Sequence, residues 1–487
     1  MNKNLQSLSP ALVWKHFARI AAIPHPSSHE ERIREYIVET VKSLGLECSE
    51  DAAHNIHAFK PATSGMENRK GIILQAHLDM VPQKNNDKQF DFLNDPIEAY
   101  IDGDWVTADG TTLGADNGIG AAAILAVLED KTLVHGPVEA LFTATEETGM
   151  DGAFGLEAGV LKGEILLNLD SETEGELYVG CAGGMDADIR LPYEAEKAPQ
   201  QGYKALKIDV KGLKGGHSGI QIVCQRANAN KLLFRLLLET EKYGVLLASA
   251  DGGGLRNAIP REASATVLVP QQHEERFALT VEEFEKTVRA EFEGIEDSIA
   301  VTAAATAAPA EIIPAATTAK LIRAIVGCPD GVRKMSPAME GLVETSTNLA
   351  RVVSDGKCIA AQCLLRSSVR SEKEELGQAI AAVFELAGAK VTLSGSYDGW
   401  NPDMQSPILK AMRESYSALY GREPQVTAIH AGLECGIIGS KYPGLDMISF
   451  GPTICYPHSP DEKVEIASVG KFYDFLLHTL RNAPVKK

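Results

Sequence analysis

Continuous apolar runs that alternate with helical segments constrain the fold of this chain more than any other feature. The segments GIILQAHLD, VEALFTAT and EILLNLD are typical of buried strands, and NGIGAAAILAVLED, between the first two, is typical of a helix. Strands that lack polar alternation are buried on both faces, as in a largely parallel sheet covered by helices. The sequence therefore predicts an α/β fold.

Residues that can bind a metal ion or carry a proton stand at the ends of these runs. His77 ends the first run, Glu146 follows the second and Asp170 ends the third. Ligands of parallel α/β sheets gather at the carboxyl ends of the strands, so these three side chains are expected at one edge of the sheet. Four further candidates lie in short segments of similar character: Asp79, Asp116, Glu147 and His458.

Two imidazoles with a surplus of carboxylates suit a binuclear metal site with a general base beside it. His77 can bind zinc through a ring nitrogen. Asp79, two residues further on, is either a ligand or a carboxylate that orients the ring. Asp116 lies in the glycine-rich turn GTTLGADNGIG, which permits a backbone path close to a metal. Glu146 and Glu147 are adjacent and can both line one site only if the strand ends before them.

Each motif also has an ordinary explanation when it is taken alone. An H-x-D pair arises by chance, EE before a glycine is usually a solvated loop, LDSE could be a helix cap and PHSPDE suits a surface loop. Their combination at the strand ends favours the metal site. The glycine-rich segment lacks both G-x-G-x-x-G and a lysine, which argues against a nucleotide site.

The sequence pattern changes near Met185 and changes back after Trp400. KALKIDVKGL and REASATVLVP alternate polar and apolar residues, which predicts antiparallel strands. We therefore predict a catalytic domain formed by residues 1–185 and 400–487, with an α+β domain, residues 186–399, inserted between its two segments. The alanine-rich stretch AVTAAATAAPAEIIPAATTAK inside the insertion is expected to be a strand with a connector.

The N-terminal segment is expected to be helical and not a secretion signal, because Lys15, His16 and Arg19 interrupt its apolar residues. A second helix is predicted over SHEERIREYIVETVKSLG, capped by Ser28 and ended by Gly45.

The formal net charge of −19 excludes some classes of partner. Nucleic acids and anionic membrane surfaces bind clusters of lysine and arginine, so neither is expected here. No apolar run approaches the ~18 residues of a membrane-spanning helix. The eight cysteines contain no C-x-x-C pair and are expected to be free thiols, which indicates a cytoplasmic location.

Eight segments carry the longest motifs: QAHLDMVP, TTLGADNGIG, TEETGMDGA, NLDSE, KGLKGGHSG, RNAIPRE, HAGLECG and GPTICYPHSPDE. They resemble the cytosolic aminoacyl-histidine dipeptidases, which are Xaa-His dipeptidases or bacterial carnosinases of the dizinc aminoacylase/carboxypeptidase superfamily. The resemblance covers the chain essentially from end to end. It implies a mostly parallel dizinc exopeptidase domain with the inserted α+β domain acting as a lid.

The resemblance implies a set of metal ligands. His77 and Asp170 would bind one zinc ion, Glu147 and His458 would bind the other, and Asp116 would bridge the two. Such carboxylate-rich sites also accept manganese or cobalt.

The resemblance also implies the catalytic residues. Asp79 would orient His77. Glu146 would be the general base, taking a proton from the metal-bridging water as it attacks the scissile carbonyl and delivering that proton to the leaving amine. A cis peptide bond is expected between Asp116 and Asn117.

Four residues outside the metal site match substrate-binding positions of the resembled family. His217, in KGGHSG, would stabilise the oxyanion, although a turn histidine is the alternative. Asn257 and Arg366 would bind the substrate backbone and its terminal carboxylate, and Gly432 would lend a backbone contact. Guanidinium pairs bidentately with carboxylate, which supports the role of Arg366. Three arginines are close rivals for that role: Arg256, Arg261 and Arg370.

The predicted function is hydrolysis of Xaa-His dipeptides, including β-alanyl-histidine, by a metallopeptidase, and the resemblance implies a homodimer formed through the lid. Lid closure would exclude water and longer peptides. The nearest alternative is a related amidohydrolase, either an N-acyl-amino-acid deacylase or a tripeptidase. A catalytically silent binding protein would be expected to lack Glu146, and a two-metal nuclease or phosphatase would need a basic groove.

Overall fold

The structure is a computed structural model that describes residues 4–486. Its helices are α1 (Ala11–Ile20), α2 (Glu31–Ser43), α3 (Ala115–Glu129), α4 (Glu146–Gly149), α5 (Asp151–Gly155), α6 (Ala229–Thr240), α7 (Glu274–Glu291), α8 (Ala315–Gly327), α9 (Arg370–Leu386), α10 (Pro407–Tyr420), α11 (Glu434–Lys441) and α12 (Ile466–Arg481).

The strands of the first half of the chain are β1 (Glu47–Glu50), β2 (Ile56–Lys60), β3 (Ile72–His77), β4 (Ala99–Asp102), β5 (Trp105–Ala108), β6 (Val138–Thr143), β7 (Ile165–Asn168), β8 (Glu176–Cys181), β9 (Gly183–Pro192), β10 (Glu196–Lys197), β11 (Tyr203–Lys211) and β12 (Gly216–His217). The remaining strands are β13 (Leu246–Gly253), β14 (Ala258–Ile259), β15 (Ala263–Pro270), β16 (Ala300–Ala305), β17 (Glu311–Ile312), β18 (Gly331–Met335), β19 (Val343–Ser354), β20 (Cys358–Ser367), β21 (Lys390–Tyr397), β22 (Gln425–Ile429), β23 (Asp446–Ser449), β24 (Ile454–Cys455) and β25 (Lys463–Glu465).

The chain forms two compact units. The first comprises the described residues up to Cys181, Trp400–Ala428 and the described residues from Leu433 onward. The second comprises Ala182–Gly399 and Ile429–Gly432.

The main sheet of the first unit has the strand order β1-β2-β6-β3-β7-β23-β8-β22. Strands β6, β3, β7 and β23 run parallel, whereas β2 and β8 pair antiparallel with the two ends of this group. His77 lies opposite Thr143, and Gln75 lies opposite Asn168. The three predicted strands therefore end at the same edge of a parallel core, and the predicted fold class is confirmed.

Local sequence explains the burial of helix α3 and the two ends of helix α10. Helix α3 is apolar on all sides and almost wholly buried, as expected of a helix inside a domain. Helix α10 begins at a cap in which Oγ of Ser406 accepts the N–H of Leu409 at 3.0 Å, and it ends at Gly421 in the left-handed conformation.

The predicted cap of helix α2 is wrong. The helix begins at Glu31, three residues after Ser28, whose backbone has φ +68°. The N–H of Ser28 donates to Oε1 of Glu30 at 2.9 Å, so a local turn replaces the cap. The predicted end is correct, because Gly45 has φ +76° two residues after Ser43.

The second unit contains an antiparallel sheet with the strand order β16-β11-β15-β13-β19-β20-β9-β21, and β18 pairs with β19. The two strands predicted from alternation are β11 and β15, which pair antiparallel with Ile208 opposite Ala265. Helices α6 to α9 pack on this sheet through one hydrophobic core. The alanine-rich stretch contains a strand, as predicted, and also the start of α8, which was not predicted.

Among the helices described in residues 4–486, none combines the length and the apolar composition that crossing a lipid bilayer requires.

Candidate metal centre and active site

Asp116 lies between two histidines from distant parts of the chain. Its Oδ1 is 3.1 Å from Nε2 of His77, and its Oδ2 is 3.3 Å from Nε2 of His458. His77 ends β3, Asp116 lies in the first turn of α3 and His458 lies in the loop between β24 and β25. One carboxylate therefore offers an oxygen towards each imidazole, which is the arrangement that a bridging metal ligand requires.

A further carboxylate accompanies each imidazole. Oδ1 of Asp170 is 3.3 Å from Nε2 of His77, and Oε2 of Glu147 is 3.0 Å from Nε2 of His458. Ligand atoms lie within 4.8 Å of one another in the group His77, Asp116 and Asp170, and again in the group Asp116, Glu147 and His458. Two groups that share Asp116 can hold two metal ions.

Glu146 lies beside these groups. Its carboxylate, a nitrogen of His77 and the carboxylate of Glu147 also lie within 4.8 Å of one another. Strand β6 ends at Thr143 and the short helix α4 begins at Glu146, so the strand ends before the two adjacent glutamates. Both side chains can line one site only if the strand ends before them, and the structure meets this requirement.

Asp79 is buried and holds the turn that carries the two glutamates. Its Oδ1 accepts the N–H of Glu146 at 2.8 Å, and its Oδ2 accepts the N–H of Glu147 at 3.2 Å. Its Oδ1 also lies 3.4 Å from Nδ1 of His77, which is 3.0 Å from the backbone oxygen of Asp79. These contacts fit the interpretation that Asp79 orients His77. They also indicate that Asp79 positions the backbone of the turn that carries Glu146 and Glu147.

Negative charge at the site shifts the titration of both histidines. Burial would lower the pKa of His77, but the charge of Asp170 and hydrogen bonds with Asp116 and Asp170 raise it well above its usual value. Hydrogen bonds with Asp116 and Glu147 raise the pKa of His458 to about 11. The arrangement therefore favours bound positive charge, as protons or as metal ions.

The two glutamates are partly buried, and several carboxylates lie close to them. Burial raises the pKa of Glu146 well above its usual value, and the charges of Asp170, Glu434 and Glu147 add to that rise. Burial also raises the pKa of Glu147. Oε1 of Glu147 is buried and meets no hydrogen-bond partner within the described part of the chain. Such an oxygen is costly unless a ligand contacts it, and a metal ion would do so.

Glu434 is a buried residue of the site region that the sequence motifs did not single out. It begins α11, and its Oε2 accepts hydrogen bonds from Nε2 of Gln75 at 2.6 Å and from Oγ1 of Thr143 at 2.8 Å. Oε1 of Gln75 in turn accepts Nδ2 of Asn168 at 2.5 Å. This network links the ends of β3, β6 and β7. Burial raises the pKa of Glu434 to about 7.

Two more acidic residues lie near Asp116. Burial raises the pKa of Glu172 to about 8, with the charges of Asp116 and Asp170 adding to the rise. Burial likewise raises the pKa of Glu462 to about 7, although backbone N–H groups oppose the rise. Both lie inside quoted motifs, LDSE and PHSPDE, and an acidic residue close to a predicted ligand was the signal that could have found them.

The Asp116–Asn117 peptide bond is cis, as expected from the resemblance. The amide of Asn117 donates a hydrogen bond from Nδ2 to Oδ1 of Asp170.

Two side chains and one backbone oxygen of the second unit meet at Gly219. A Cβ atom at Gly219 would lie 3.0 Å from Cε1 of His217, 3.2 Å from Nε of Arg366 and 2.4 Å from the backbone oxygen of His430. Nδ1 of His217 accepts the N–H groups of Gly219 and Ile220 at 3.2 and 3.1 Å. A neutral ring therefore carries its proton on Nε2.

Arg366 is a buried guanidinium with an unpartnered donor. It is 6% exposed, and its Nε has no hydrogen-bond partner in residues 4–486. Two of its rivals are paired, Arg256 with Asp188 at 2.9 Å and Arg370 with Asp398 at 2.8 Å. A buried cation with an unpartnered donor is typical of an anion site, because burying it otherwise costs free energy.

Asn257 and Gly432 also belong to the second unit. Asn257 is exposed in the turn before β14, and its backbone oxygen accepts the N–H of Ser218 at 2.8 Å. A Cβ at Gly432 would lie 2.8 Å from the hydroxyl oxygen of Tyr397, so this position requires glycine unless the ring moves.

The pH dependence of stability tests whether His430 is buried and neutral beside Arg366. Burial and the charge of Arg366 lower the pKa of His430 to about 3, and its Nε2 lies 2.7 Å from Oγ of Ser346. Below pH 6.5 His430 is protonated in the unfolded chain but stays neutral in the folded chain. The free energy of unfolding therefore falls as the pH falls towards 3. Between pH 7.5 and 5.0 this costs the wild type about 2 kcal/mol.

The measurement is urea unfolding of the wild type and of His430→Gln at both pH values. Glutamine keeps a polar partner for Ser346 and does not titrate, so the variant should lose less stability than the wild type on acidification. Equal losses in the two proteins would contradict the burial of a neutral His430.

Comparisons with known proteins agree with this geometry. Residues 73–482 match peptidase family M20/M25/M40. The chain is 47% identical to the cytosol non-specific dipeptidase of Escherichia coli strain K12 over 483 residues, which cover 99% of each protein. It is similar to the crystal structure of aminoacylhistidine dipeptidase from Vibrio alginolyticus, with a TM-score of 0.95, 47% identity and 99% of each chain covered. Aminopeptidase PepT from Bacillus cereus shares the fold, with a TM-score of 0.63 at 15% identity over 98% of this chain and 99% of that chain.

These findings confirm the predicted enzyme class, a metallopeptidase of the dipeptidase type. The chain belongs to peptidase family M20/M25/M40.

Proposed function

We propose that this protein is a dizinc dipeptidase that hydrolyses Xaa-His dipeptides, including β-alanyl-histidine. The observation that carries the proposal is the placement of one carboxylate, Asp116, between two imidazoles, with the partly buried carboxylate of Glu146 beside them. The substrate class is supported by the match to the aminoacylhistidine dipeptidase of Vibrio alginolyticus.

The residues present fit a pair of divalent ions. His77 and Asp170 would hold one ion, Glu147 and His458 would hold the other, and Asp116 would contact both. The buried oxygen of Glu147 that lacks a partner within the described residues supports this fit. Mixed nitrogen and oxygen donors suit zinc and also accept manganese or cobalt.

Bound ions would supply positive charge that polarises the scissile carbonyl and makes a water molecule more acidic. Glu146 takes the proton from the attacking water and delivers it to the leaving amine. Asp79 keeps Glu146 in place through the hydrogen bond between its Oδ1 and the N–H of Glu146.

The second unit supplies the residues proposed to recognise the substrate. His217 donates its Nε2–H to the oxyanion, and Arg366 pairs with the terminal carboxylate. Burial and the charge of Arg366 lower the pKa of His217, which favours the neutral ring that this role requires. Asn257 and Gly432 contact the substrate backbone. The second unit acts as a lid and carries the contacts of a homodimer.

A cytoplasmic location is part of the proposal. Its support is the name of the Escherichia coli relative, a cytosol dipeptidase, together with eight cysteines that are free thiols.

A substrate panel tests the proposal against its closest alternatives. The zinc-loaded protein is assayed with β-alanyl-histidine, alanyl-histidine, N-acetyl-histidine and a tripeptide that ends in histidine. Both dipeptides should release histidine with a kcat/KM at least about 100-fold above that of the other two, because the proposed lid reads both ends of a dipeptide and excludes longer peptides. Faster hydrolysis of N-acetyl-histidine would indicate a deacylase, and faster hydrolysis of the tripeptide would indicate a tripeptidase.

A further inference from the structure

Four consecutive backbone N–H groups converge on the buried carboxylate of Glu462. Those of Leu113 and Gly114 donate to its Oε2 at 2.7 and 3.0 Å, and those of Ala115 and Asp116 donate to its Oε1 at 2.8 and 3.2 Å. Gly114 has φ +71°, and this left-handed residue lets successive N–H groups face one anion. Glu462 is 2% exposed, so the carboxylate is the partner of all four groups in place of water.

The two segments joined by these hydrogen bonds carry two of the proposed metal ligands. Glu462 lies four residues after His458 in the loop between β24 and β25, whose base is closed by the pairing of Cys455 with Lys463. The other segment ends at Asp116, whose side chain lies 3.3 Å from His458. The Glu462 carboxylate therefore ties the backbone of Asp116 to the loop of His458.

We propose that Glu462 is a positioning residue of the metal centre, which fixes Asp116 relative to His458 and so sets the separation of the two metal positions. The inference rests on the proposed dizinc function. Groups that orient metal ligands without touching the metal typically change metal affinity or activity by about 10–100-fold when they are replaced.

A purely structural role for Glu462 makes a different prediction. A carboxylate at the start of α3 also stabilises the helix through its dipole and its free N–H groups. That role would change the thermal midpoint of unfolding and leave zinc affinity untouched. Zinc affinity therefore separates the two roles.

Glu462→Gln is the direct test. Its amide offers one acceptor oxygen, and its NH2 group would face two N–H donors, so Asp116 should shift. The metal-free variant should bind Zn²⁺ about 10–100-fold more weakly than the wild type in competition with a chromophoric chelator. At saturating zinc, kcat on β-alanyl-histidine should fall while KM stays within about twofold, because the groups proposed to bind substrate are untouched.

Glu139→Gln is the matched control. Glu139 is a buried glutamate of the same unit whose two oxygens accept the N–H of Lys162 at 3.0 and 3.1 Å, and it lies at the opposite end of β6 from the metal centre. It should lose stability and keep wild-type zinc affinity.

Glu462→Asp keeps the test decisive if the glutamine variant does not fold. The shorter side chain keeps the charge but cannot reach all four N–H groups, so an intermediate loss of zinc affinity is expected. Either variant, folded and with wild-type zinc affinity, would overturn the inference. A wild-type protein that binds no zinc and releases no histidine would instead overturn the proposed function, whatever the variants do.

Discussion

Replacing Glu146 by glutamine is expected to lower kcat on β-alanyl-histidine by about 10³–10⁴-fold, because an amide cannot carry a proton from water to the leaving amine. The change is isosteric, and the N–H of residue 146 can still donate to Asp79 as it does now at 2.8 Å. The two groups proposed to hold the ions do not include Glu146, so the variant should still contain two zinc ions. Steady-state kinetics and elemental analysis of the purified variant check both parts.

The neighbouring residue provides a matched contrast. Glu147→Gln makes the same chemical change one position further on, at a carboxylate oxygen 3.0 Å from His458. This variant should lose zinc as well as activity, whereas Glu146→Gln should lose activity alone. Turnover by Glu146→Gln above about a tenth of the wild-type value would refute the general-base role.

Replacing Arg366 by alanine is expected to lower kcat/KM for dipeptides by about 10²–10³-fold, mostly through KM, because a buried charge pair with the substrate carboxylate is lost. Arg366 is buried and has an unpartnered Nε among the described residues, so a substrate carboxylate would supply its missing partner. Arg256→Ala and Arg370→Ala are matched controls, because each removes a guanidinium already paired with an aspartate. Both controls should keep KM close to the wild-type value.

A substrate without the terminal carboxylate tests directly whether Arg366 pairs with that carboxylate. The C-terminal amide of β-alanyl-histidine should be a poor substrate for the wild type, and Arg366→Ala should no longer distinguish the amide from the acid. If the variant still prefers the acid by the wild-type factor, another guanidinium binds the carboxylate. Arg261 would then be the next residue to replace.

The strands that carry the candidate site could be predicted because their sequence pattern is local. His77, Glu146 and Asp170 each follow a continuous apolar run, and parallel strands bring their carboxyl ends to one edge. The same reasoning failed at Ser28, where the favoured capping residue lies in a left-handed turn and the helix begins at Glu31. There the N–H of Ser28 donates to Oε1 of Glu30, so Ser28 belongs to a turn and does not cap the helix.

The motifs contain the supporting carboxylates, but their contacts could not be predicted because their partners are distant or belong to the backbone. Glu434 contacts Gln75 and Thr143, which lie hundreds of residues earlier in the chain. Glu462 binds N–H groups, which every residue except proline carries, so no motif identifies them. The choice of Arg366 over Arg256 and Arg370 likewise depends on ion pairs that only the folded chain shows.

Zinc titration of the metal-free protein tests the central claim most directly. Histidine release from β-alanyl-histidine is followed while zinc is added to protein stripped with a chelator. We predict no release before zinc is added and full activity at two equivalents per chain, in line with two ligand groups that share Asp116. Full histidine release by the stripped protein, with metal below about a tenth of an equivalent per chain, would contradict a metal-dependent dipeptidase.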